Sequence, residues 1–461
     1  MSRRTAAILV ACGGAYLAFL DTTIVNTSFP DIAASFPEAT RSDLSWILDA
    51  YFIVVAALLV PAGALGDRLG RKRLFLGGVI AFVLTSLVCA VAPTWELLVA
   101  GRVLQAIAAA VMVPVSLALV LPLFALERRA TGVGLWGAAA ALAAASGPPL
   151  GGLLVEVADW RWIFLVNLPL GLLAVAAGRR VLDESRDEAA TGLPDLPGSA
   201  LSAFGLGALA LGIVEGPSWG WGSPEVVGCF AAAAVLLAIV ARRCTRHPRP
   251  VVDPSLMAIA SFRRANVGNL LFSMGFFSAI LGNILFLTSV WRYSVLDAGL
   301  ATVPGPLLAA FVAGPAGRLA DRFGHRAVIV PGALIYAAAL LVLRGAGLEP
   351  DYVGTWLPGM LLAGLGIGLA YPALGSAAVS EIEPERFATA GAVNGAFRQI
   401  GAVLGTAILV AIVGEPATLA AAEAVAGEAY VFGAIASVAA AAVALALPRR
   451  RALAAPAPVP A

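Results

Sequence analysis

The 461-residue sequence is poor in charged residues and in histidine, and each shortage excludes a class of function. Charged residues make up 13% of the chain, about half of what a soluble domain carries, whereas hydrophobic residues make up 60%. His247 and His325 are the only histidines, and the 4 cysteines show no CxxC or other paired spacing. A disulfide scaffold, a zinc site and histidine-based catalysis are therefore excluded. We expect a membrane protein that is not an enzyme and uses no metal or other cofactor.

The balance of charges and the lack of a nucleotide motif narrow the partners and the energy source. The 30 Lys and Arg residues nearly cancel the 28 Asp and Glu residues, and they form no basic block, which argues against nucleic acid as a partner. The sequence contains no GxxxxGK[ST] loop for ATP phosphates. Work done by this chain must therefore draw on an ion gradient.

Long apolar runs recur along the whole chain. A run of about 17 to 25 residues is long enough to cross the hydrocarbon core of a bilayer as a helix. The sequence therefore predicts an all-α polytopic membrane protein with fourteen transmembrane helices. The runs lie near 6–29, 46–66, 73–92, 97–121, 132–155, 162–178, 198–214, 225–241, 266–290, 299–316, 327–345, 353–378, 388–413 and 429–447.

The loops between these runs predict the orientation. If the N-terminus is cytoplasmic, cytoplasmic segments hold 24 Lys and Arg residues, and the opposite loops hold only Arg41, Arg161, Arg292 and Arg344. Positive loops stay on the cytoplasmic side, so both termini are expected there. Lys72 is the only lysine, and the Ala and Arg richness suggests a bacterial genome. We expect a multi-pass protein of the bacterial inner membrane.

An internal repeat divides the chain. Residues 63–72 (GALGDRLGRK) recur as 317–326 (GRLADRFGHR), 254 positions later, and each copy follows the second helix of a six-helix half. Two parallel repeats around a central path are typical of secondary transporters. The predicted parts are an N-terminal half (1–178), a two-helix insert with its linkers (179–265), a C-terminal half (266–447) and a disordered cytoplasmic tail (448–461).

Five motifs, in order and on the expected helices, resemble those of the major facilitator superfamily, in its drug/proton antiporter branch with fourteen helices. They are LDTTIVNTSFP (20–30), GALGDRLGRKR (63–73), GRVLQ (101–105), SGPPLGG (146–152) and WRWIFLVNLP (160–169). The resemblance implies the fold of two six-helix repeats plus two extra helices, and transport by alternating access. Ala106 departs from the family, which usually has Gly there, and His325 stands in the second loop copy where the first has Arg71.

Two acids and one arginine are the candidate proton or substrate site in the first half. Asp21, Asp49 and Arg102 lie inside apolar sequence, where an ionisable group is costly and marks function by default. Arg102 is placed at a depth where it could meet either acid. The alternative is that Asp21 or Asp49 only caps a break in a helix or faces a water-filled vestibule.

The loop after helix 2 and its repeat are the candidate gate. Asp67 lies at the C-terminus of helix 2, where the helix dipole disfavours an anion, so it needs a cationic partner. The resemblance implies that this loop latches the two halves, but its cations also hold the loop inside, and that topological role could be the only one. The gating residues are Gly63, Asp67, Arg68, Gly70, Arg71 and Lys72 in the first copy and Asp321, Arg322 and Gly324 in the second.

Two further groups complete the candidate residues. The resemblance identifies Gly147, Pro148, Gly151 and Gly152 in helix 5 as the antiporter signature, although such glycines also serve ordinary tight packing. In helix 13, Asn394, Arg398 and Gln399 fall within about one turn. Because Arg398 stays charged, it must face a carboxylate, carbonyls or water, and contact with substrate and a structural bond are both open.

The predicted function is proton-coupled efflux of hydrophobic or amphipathic small molecules, cations among them, by alternating access. The expected partners are the substrate, protons and the lipid bilayer, and the chain is expected to be a monomer. The alternatives are a dedicated exporter of one metabolite, such as a self-made antibiotic, and an uptake carrier of the same fold.

Overall fold

The computed structural model of the protein describes residues 2–124, 129–186, 194–248, 250–382, 386–414, 416 and 418–448. Within these ranges, fourteen helices are long and apolar enough to cross a membrane, which confirms all fourteen predicted spans. They are α1 Arg3–Thr27, α2 Arg41–Gly66, α3 Arg71–Ala90, α4 Trp95–Leu123, α5 Leu135–Val157, α6 Trp162–Val181, α7 Leu196–Val214, α8 Pro224–Cys244, α9 Ala260–Ser289, α10 Val295–Ala320, α11 Arg326–Arg344, α12 Tyr352–Val379, α13 Thr389–Val413 and α14 Leu419–Leu445.

The spans differ from the predicted runs mainly at their ends. The helix of α2 continues to Leu69, and that of α5 begins at Arg129. The last span begins at Leu419 rather than near 429, because Glu423 and Glu428 interrupt the apolar run without ending the helix. Apolar length therefore predicts where a helix crosses the membrane and not where it stops.

Local sequence accounts for where the helices around the repeat begin and end. The Thr40 hydroxyl accepts the backbone N–H of Asp43, whose carboxylate accepts the N–H of Thr40, and this capping box starts α2. Gly70 and Gly324 end the helices of α2 and α10 with φ of 108° and 89°, backbone conformations that only glycine adopts readily. The two copies of the repeat thus share the same helix stop.

The two halves form two buried cores. One core is built mainly from α1 to α6 and the other mainly from α9 to α12 and α14. The extra helices α7 and α8 pack as a hairpin, and α7 lies against both α2 and α13. Asp195, which caps the start of α7, is joined to Arg243 near the end of α8 by hydrogen bonds of 3.1 and 2.6 Å.

The halves touch through backbone at the predicted outer end of the bundle, and α2 also packs along α13. At the predicted outer end, a β-carbon on Gly152 of α5 would lie 2.8 Å from the backbone nitrogen of Leu296 in α10, so the helices touch through backbone. Toward the predicted cytoplasmic end, free space surrounds the α-carbons of Gly13, Gly137 and Gly391. The structure is therefore closed where α5 meets α10 at the outer end, and we refer to the open space beside these three glycines as the cleft.

Candidate functional site

Asp21 of α1 and Arg102 of α4 form an ion pair inside the N-terminal half. Nη1 of Arg102 lies 2.5 Å from Oδ2 of Asp21, and the two side chains are 1% and 0% exposed. Of the two acids that the sequence offered, Arg102 is therefore paired with Asp21. Because both charges are withdrawn from solvent, removing one would leave the other buried without a counter-charge.

Three neutral polar side chains complete this cluster, and the sequence analysis assigned no role to any of them. Gln105 of α4 and Asn167 of α6 donate hydrogen bonds of 2.9 and 3.1 Å to Oδ1 of Asp21. Both also donate to the hydroxyl of Ser86 in α3. Gln105 and Asn167 belong to two motifs of the family resemblance, and Gln105 lies one turn after Arg102, so helical spacing could have placed it here. Nothing in the sequence singles out Ser86.

The remaining contacts of Arg102 hold it against α2. Its Nε donates to the carbonyl oxygen of Ile47 at 3.1 Å. Its guanidinium carbon lies 4.1 Å from the ring centroid of Tyr51, a favourable cation–π geometry. Ile47 and Tyr51 are one turn apart and share a face of α2. The arginine thus joins three helices: α1 through Asp21, α2 through Ile47 and Tyr51, and α4 itself.

Asp49 lies on a different face of α2. It is 0% exposed, and neither of its carboxylate oxygens has a hydrogen-bond partner among the described residues. An isolated buried carboxylate ion is very costly, so a neutral, protonated carboxyl group is the form that fits this environment. The first half thus holds one acid that is paired as an ion and one acid that is alone.

The antiporter signature lies where α5 meets α1 and α10. A β-carbon on Gly147 would lie 2.8 Å from Cβ of Thr23, and one on Gly151 would lie 2.9 Å from Cγ1 of Ile24. Gly152 faces the start of α10, and a β-carbon on Gly299 of α10 would lie 2.8 Å from the carbonyl carbon of Pro148. The structure thus places all four signature residues in the contact that closes the outer end.

The predicted gating loop is anchored by the segment that follows α6. The carboxylate of Glu184 accepts the backbone N–H groups of Lys72 and Arg73, at 3.0 and 3.1 Å, where α3 begins. The ammonium group of Lys72 donates to the carbonyl oxygens of Arg179 and Leu182. A carboxylate at a helix N-terminus also complements the helix dipole.

The other gating residues are placed as follows. Gly70 lies directly against Glu184, because a β-carbon there would be 2.8 Å from Cδ of that residue. Gly63 lies inside the helix of α2, and Arg68 lies near its end. Arg71 begins α3, and Arg322 lies near the end of α10. The side chains of Asp67 and Asp321 lie outside the described part of the structure.

The three polar residues predicted in α13 do not form one group. Asn394 bonds α9: its side-chain amide donates to Oδ1 of Asn266 at 2.9 Å, and its backbone carbonyl oxygen accepts from Asn269 at 3.3 Å. Gln399 is 9% exposed. Arg398 is half-buried and points toward α1, with its guanidinium carbon 5.5 Å from the ring centroid of Phe19.

Comparison with known proteins gives a consistent assignment. The family model described as Major Facilitator Superfamily matches residues 11–406, with a second match at 265–459. A methylenomycin A resistance protein of Bacillus subtilis (strain 168) is 33% identical over 417 residues, 89% of this chain and 88% of that protein. The multidrug resistance protein Stp of Mycobacterium tuberculosis (strain CDC 1551 / Oshkosh) is 33% identical over 411 residues, 89% of this chain and 76% of that protein. The solved structure of the xylose transporter XylE from E. coli, at 16% identity, has the same fold, with a TM-score of 0.67 over 97% of this chain and 99% of that one.

Proposed function

The chain belongs to the Major Facilitator Superfamily, and on that premise we propose that it exports hydrophobic or amphipathic small molecules from the cytoplasm in exchange for protons. The names of its relatives support export, since they are resistance proteins that match most of this chain. The chain is a multi-pass membrane protein, as its fourteen apolar helices indicate. We place it in the bacterial inner membrane as a monomer, with both termini in the cytoplasm, working as a carrier and not as an enzyme.

The buried pair of Asp21 and Arg102 carries the proposal of proton coupling. When a proton binds Asp21, its carboxylate loses its charge, and Arg102 remains charged in a site that excludes water. That state costs several kcal/mol, so the helices must move until Arg102 finds water or another partner. Proton binding at this site is therefore linked to a change in the packing of α1, α2 and α4.

Asp49 supplies a second proton-exchanging group in this mechanism. Within the described residues, neither oxygen of its carboxyl group accepts a hydrogen bond in the state that is closed at the outer end, and this favours retention of a proton. If alternating access opens α2 to the outer solution, the carboxyl can ionise there and take up a proton again. Asp49 then assists Asp21, because it exchanges its proton only when the outer end is open.

The gate of this mechanism is proposed at two places. At the outer end, the signature residues of α5 close the path against α1 and α10. At the cytoplasmic end, the loop from 63 to 72 and its repeat would latch the halves when the outer end opens. The cleft beside Gly391 and Gly137 corresponds to the inward-open state. In that state the latch is released and a cytoplasmic substrate can enter.

Transport by purified protein in proteoliposomes tests the proposal. When the interior of the proteoliposomes is acidic, chains whose cytoplasmic side faces outward should take up a fluorescent amphipathic dye in exchange for protons. The dye should accumulate inside against its concentration gradient. Accumulation should stop when a protonophore collapses the pH gradient. Dye uptake that does not depend on the pH gradient, or uptake no faster than in liposomes without protein, would refute proton-coupled export.

A narrow exporter is the second candidate, because the Bacillus subtilis relative is named for a single antibiotic while the Mycobacterium tuberculosis relative is named for many drugs. A panel of unrelated toxic compounds separates the two. Protection of expressing cells against one chemical class indicates a dedicated exporter, and protection against several indicates a multidrug exporter.

A further inference from the structure

Arg398 is a charged side chain that extends across the cleft from the C-terminal half to the N-terminal half. It lies near the middle of α13, and its guanidinium carbon approaches the ring of Phe19 in α1 at 5.5 Å. Stacking on an aromatic face leaves the edge of the guanidinium, with its N–H donors, free to bind other groups.

Those donors have no acceptor in the described part of the chain. No carboxylate lies within ion-pair distance of Arg398 there, and its guanidinium makes no hydrogen bond to protein. Arg102 is the opposite case, since it is fully buried and bonded to Asp21, Gln105 and the backbone of Ile47. The N–H donors of Arg398 are therefore available to a molecule in the cleft, while its guanidinium face rests on Phe19.

The buried acids of the N-terminal half do not neutralise the charge of Arg398. Asp21 is paired with Arg102, and Asp49 is buried in α2 with no hydrogen-bond partner for its carboxylate oxygens in the described part of the chain. Both are 0% exposed. Glu428 is a further acid inside a described span, but it is exposed on α14 and forms no ion pair with Arg398. Among the described residues, Arg398 therefore has no carboxylate that balances its charge.

Arg398 lies near an aromatic ring of each half, Phe19 in α1 and Tyr371 in α12, and each of these rings packs against another. Phe19 packs edge-on against Trp136 of α5 at 5.7 Å, and the Trp136 indole is fixed by a 2.8 Å hydrogen bond to Ser116. In the C-terminal half, Phe276 packs against Tyr371 at 5.3 Å. Phe19, Trp136, Phe276 and Tyr371 are each half-buried. A mostly apolar wall with a few oriented polar groups is typical of a small-molecule site.

The arginine can be reached from the cytoplasmic end. Gly391 lies seven residues earlier on α13 and on the same face, and it is exposed with free space around its α-carbon. On α1, Gly13 likewise has free space, and it lies one turn before Tyr16, which lies one turn before Phe19. Both helices thus present an open face that leads from the cytoplasmic end to Arg398.

We propose that Arg398 binds an anionic oxygen of the transported molecule, and that the chain prefers amphipathic organic acids, with an apolar or aromatic skeleton and a carboxylate, enolate, phenolate or sulfonate, over amphipathic cations. The guanidinium pairs with the anionic group, because charge-assisted hydrogen bonds to a carboxylate are the strong ones. The aromatic residues cover the skeleton, and a cationic substrate is repelled by the same charge. This inference rests on the proposed export function and names its substrate class.

Two dyes with one xanthene skeleton and opposite charge test the inference: fluorescein, an anion, and rhodamine 123, a cation. Inside-out membrane vesicles containing the wild-type chain should accumulate fluorescein faster than rhodamine 123. Arg398→Gln should lower fluorescein uptake about tenfold, the lower end of what one hydrogen bond to a charged group contributes, and should not lower rhodamine 123 uptake. Arg398→Lys keeps the charge and should retain the preference for the anion at a reduced rate.

A matched control and the ratio of the two dyes separate binding from folding. Arg344→Gln makes the same chemical change at an exposed position at the end of α11 and should leave both uptakes unchanged. If wild type moves rhodamine 123 in preference to fluorescein, or if Arg398→Gln lowers both dyes equally, export stands and the inference about Arg398 is wrong. If wild type moves neither dye, the proposed export function fails for amphipathic dyes, and the inference fails with it.

Discussion

Asp21 and Arg102 face each other across α1 and α4 with their charged atoms 2.5 Å apart, and both are sealed from solvent. Asp49 is only two residues from the Ile47 carbonyl that Arg102 also binds, yet neither of its carboxylate oxygens has a hydrogen-bond partner among the described residues. Two acids in one half of the bundle therefore meet opposite electrostatic surroundings. Neutralising Asp21 and neutralising Asp49 should therefore affect the protein differently.

Removing either charge of the buried pair should destabilise the protein, and removing both should restore much of the loss. Asp21→Asn leaves Arg102 buried without its counter-charge, and Arg102→Met does the same to Asp21. Breaking a buried pair from one side costs about 3–5 kcal/mol. Thermal unfolding of the purified protein measures this, with the double variant as the control. Pair-independent behaviour, in which the double variant is as unstable as the sum of the singles, would contradict the coupling. The double variant should fold and yet fail to respond to a pH gradient.

Asp49→Asn should change stability little but weaken proton coupling. An amide is nearly the same size as a neutral carboxyl group, and no ion pair is lost because Asp49 has none. We expect a change in unfolding free energy within about 1 kcal/mol, in the range of substitutions that break no specific interaction. Proton release by the protein, followed with a pH dye when substrate is added, should fall. A large loss of stability would show that Asp49 is ionised and paired in the folded state.

Adding one methyl group at the outer contact should open it. In Gly152→Ala the new carbon would lie 2.8 Å from the backbone nitrogen of Leu296, so α5 and α10 must separate. A penalty of 1–2 kcal/mol on the closed form would shift the two populations by roughly 5- to 30-fold. Labelling of a cysteine placed at Gly391, in protein without its four native cysteines, should slow because the cytoplasmic cleft is less often open. Gly137→Ala, where nothing lies within 4 Å, is the control and should leave labelling unchanged.

The α7–α8 hairpin should loosen in acid. The hydrogen bond from Arg243 holds the pKa of Asp195 below its usual value, so the carboxylate stabilises the folded form above its ordinary pKa of about 3.9, and this contribution is lost as the pH falls below it. Unfolding midpoints should be the same at pH 7 and pH 5 and should drop below about pH 4. In Asp195→Asn this acid-dependent part should be absent, whereas Glu225→Gln, at an exposed position of α8, should keep it. An identical acid response in all three proteins would contradict the assignment.

The fourteen spans could be predicted from the sequence because crossing a membrane depends on the length of an apolar run, which is a property of one segment. The partner of Arg102 could not, because it depends on how α1, α2 and α4 are rotated about their axes. That rotation turns Ile47 and Tyr51 toward Arg102 and turns Asp49 away. For the same reason, Asn394 and Arg398, one turn apart in α13, have different roles: the first bonds α9, and the second enters the cleft.

The segment that follows α6 is linked to the predicted gating loop between α2 and α3. Glu184 holds the first turn of α3 through two backbone N–H groups and lies against Gly70. Because the loop is proposed to latch the halves, weakening this anchor should change the balance between inward-open and outward-open forms. We expect Glu184→Gln to shift that balance by about 1–3 kcal/mol, the usual size of a coupling between sites, and Asp67→Asn to act in the same range.

The same labelling of a cysteine at Gly391 measures both changes. Asp183→Asn is the control for Glu184→Gln, because Asp183 is the preceding acid and its only described ion pair is with exposed Arg3. Asp321→Asn should be milder than Asp67→Asn, since His325 replaces one cation of that copy. If Glu184→Gln and Asp183→Asn label alike, the segment after α6 does not control the latch. A more severe effect at Asp321 than at Asp67 would instead make the second copy of the loop the dominant one.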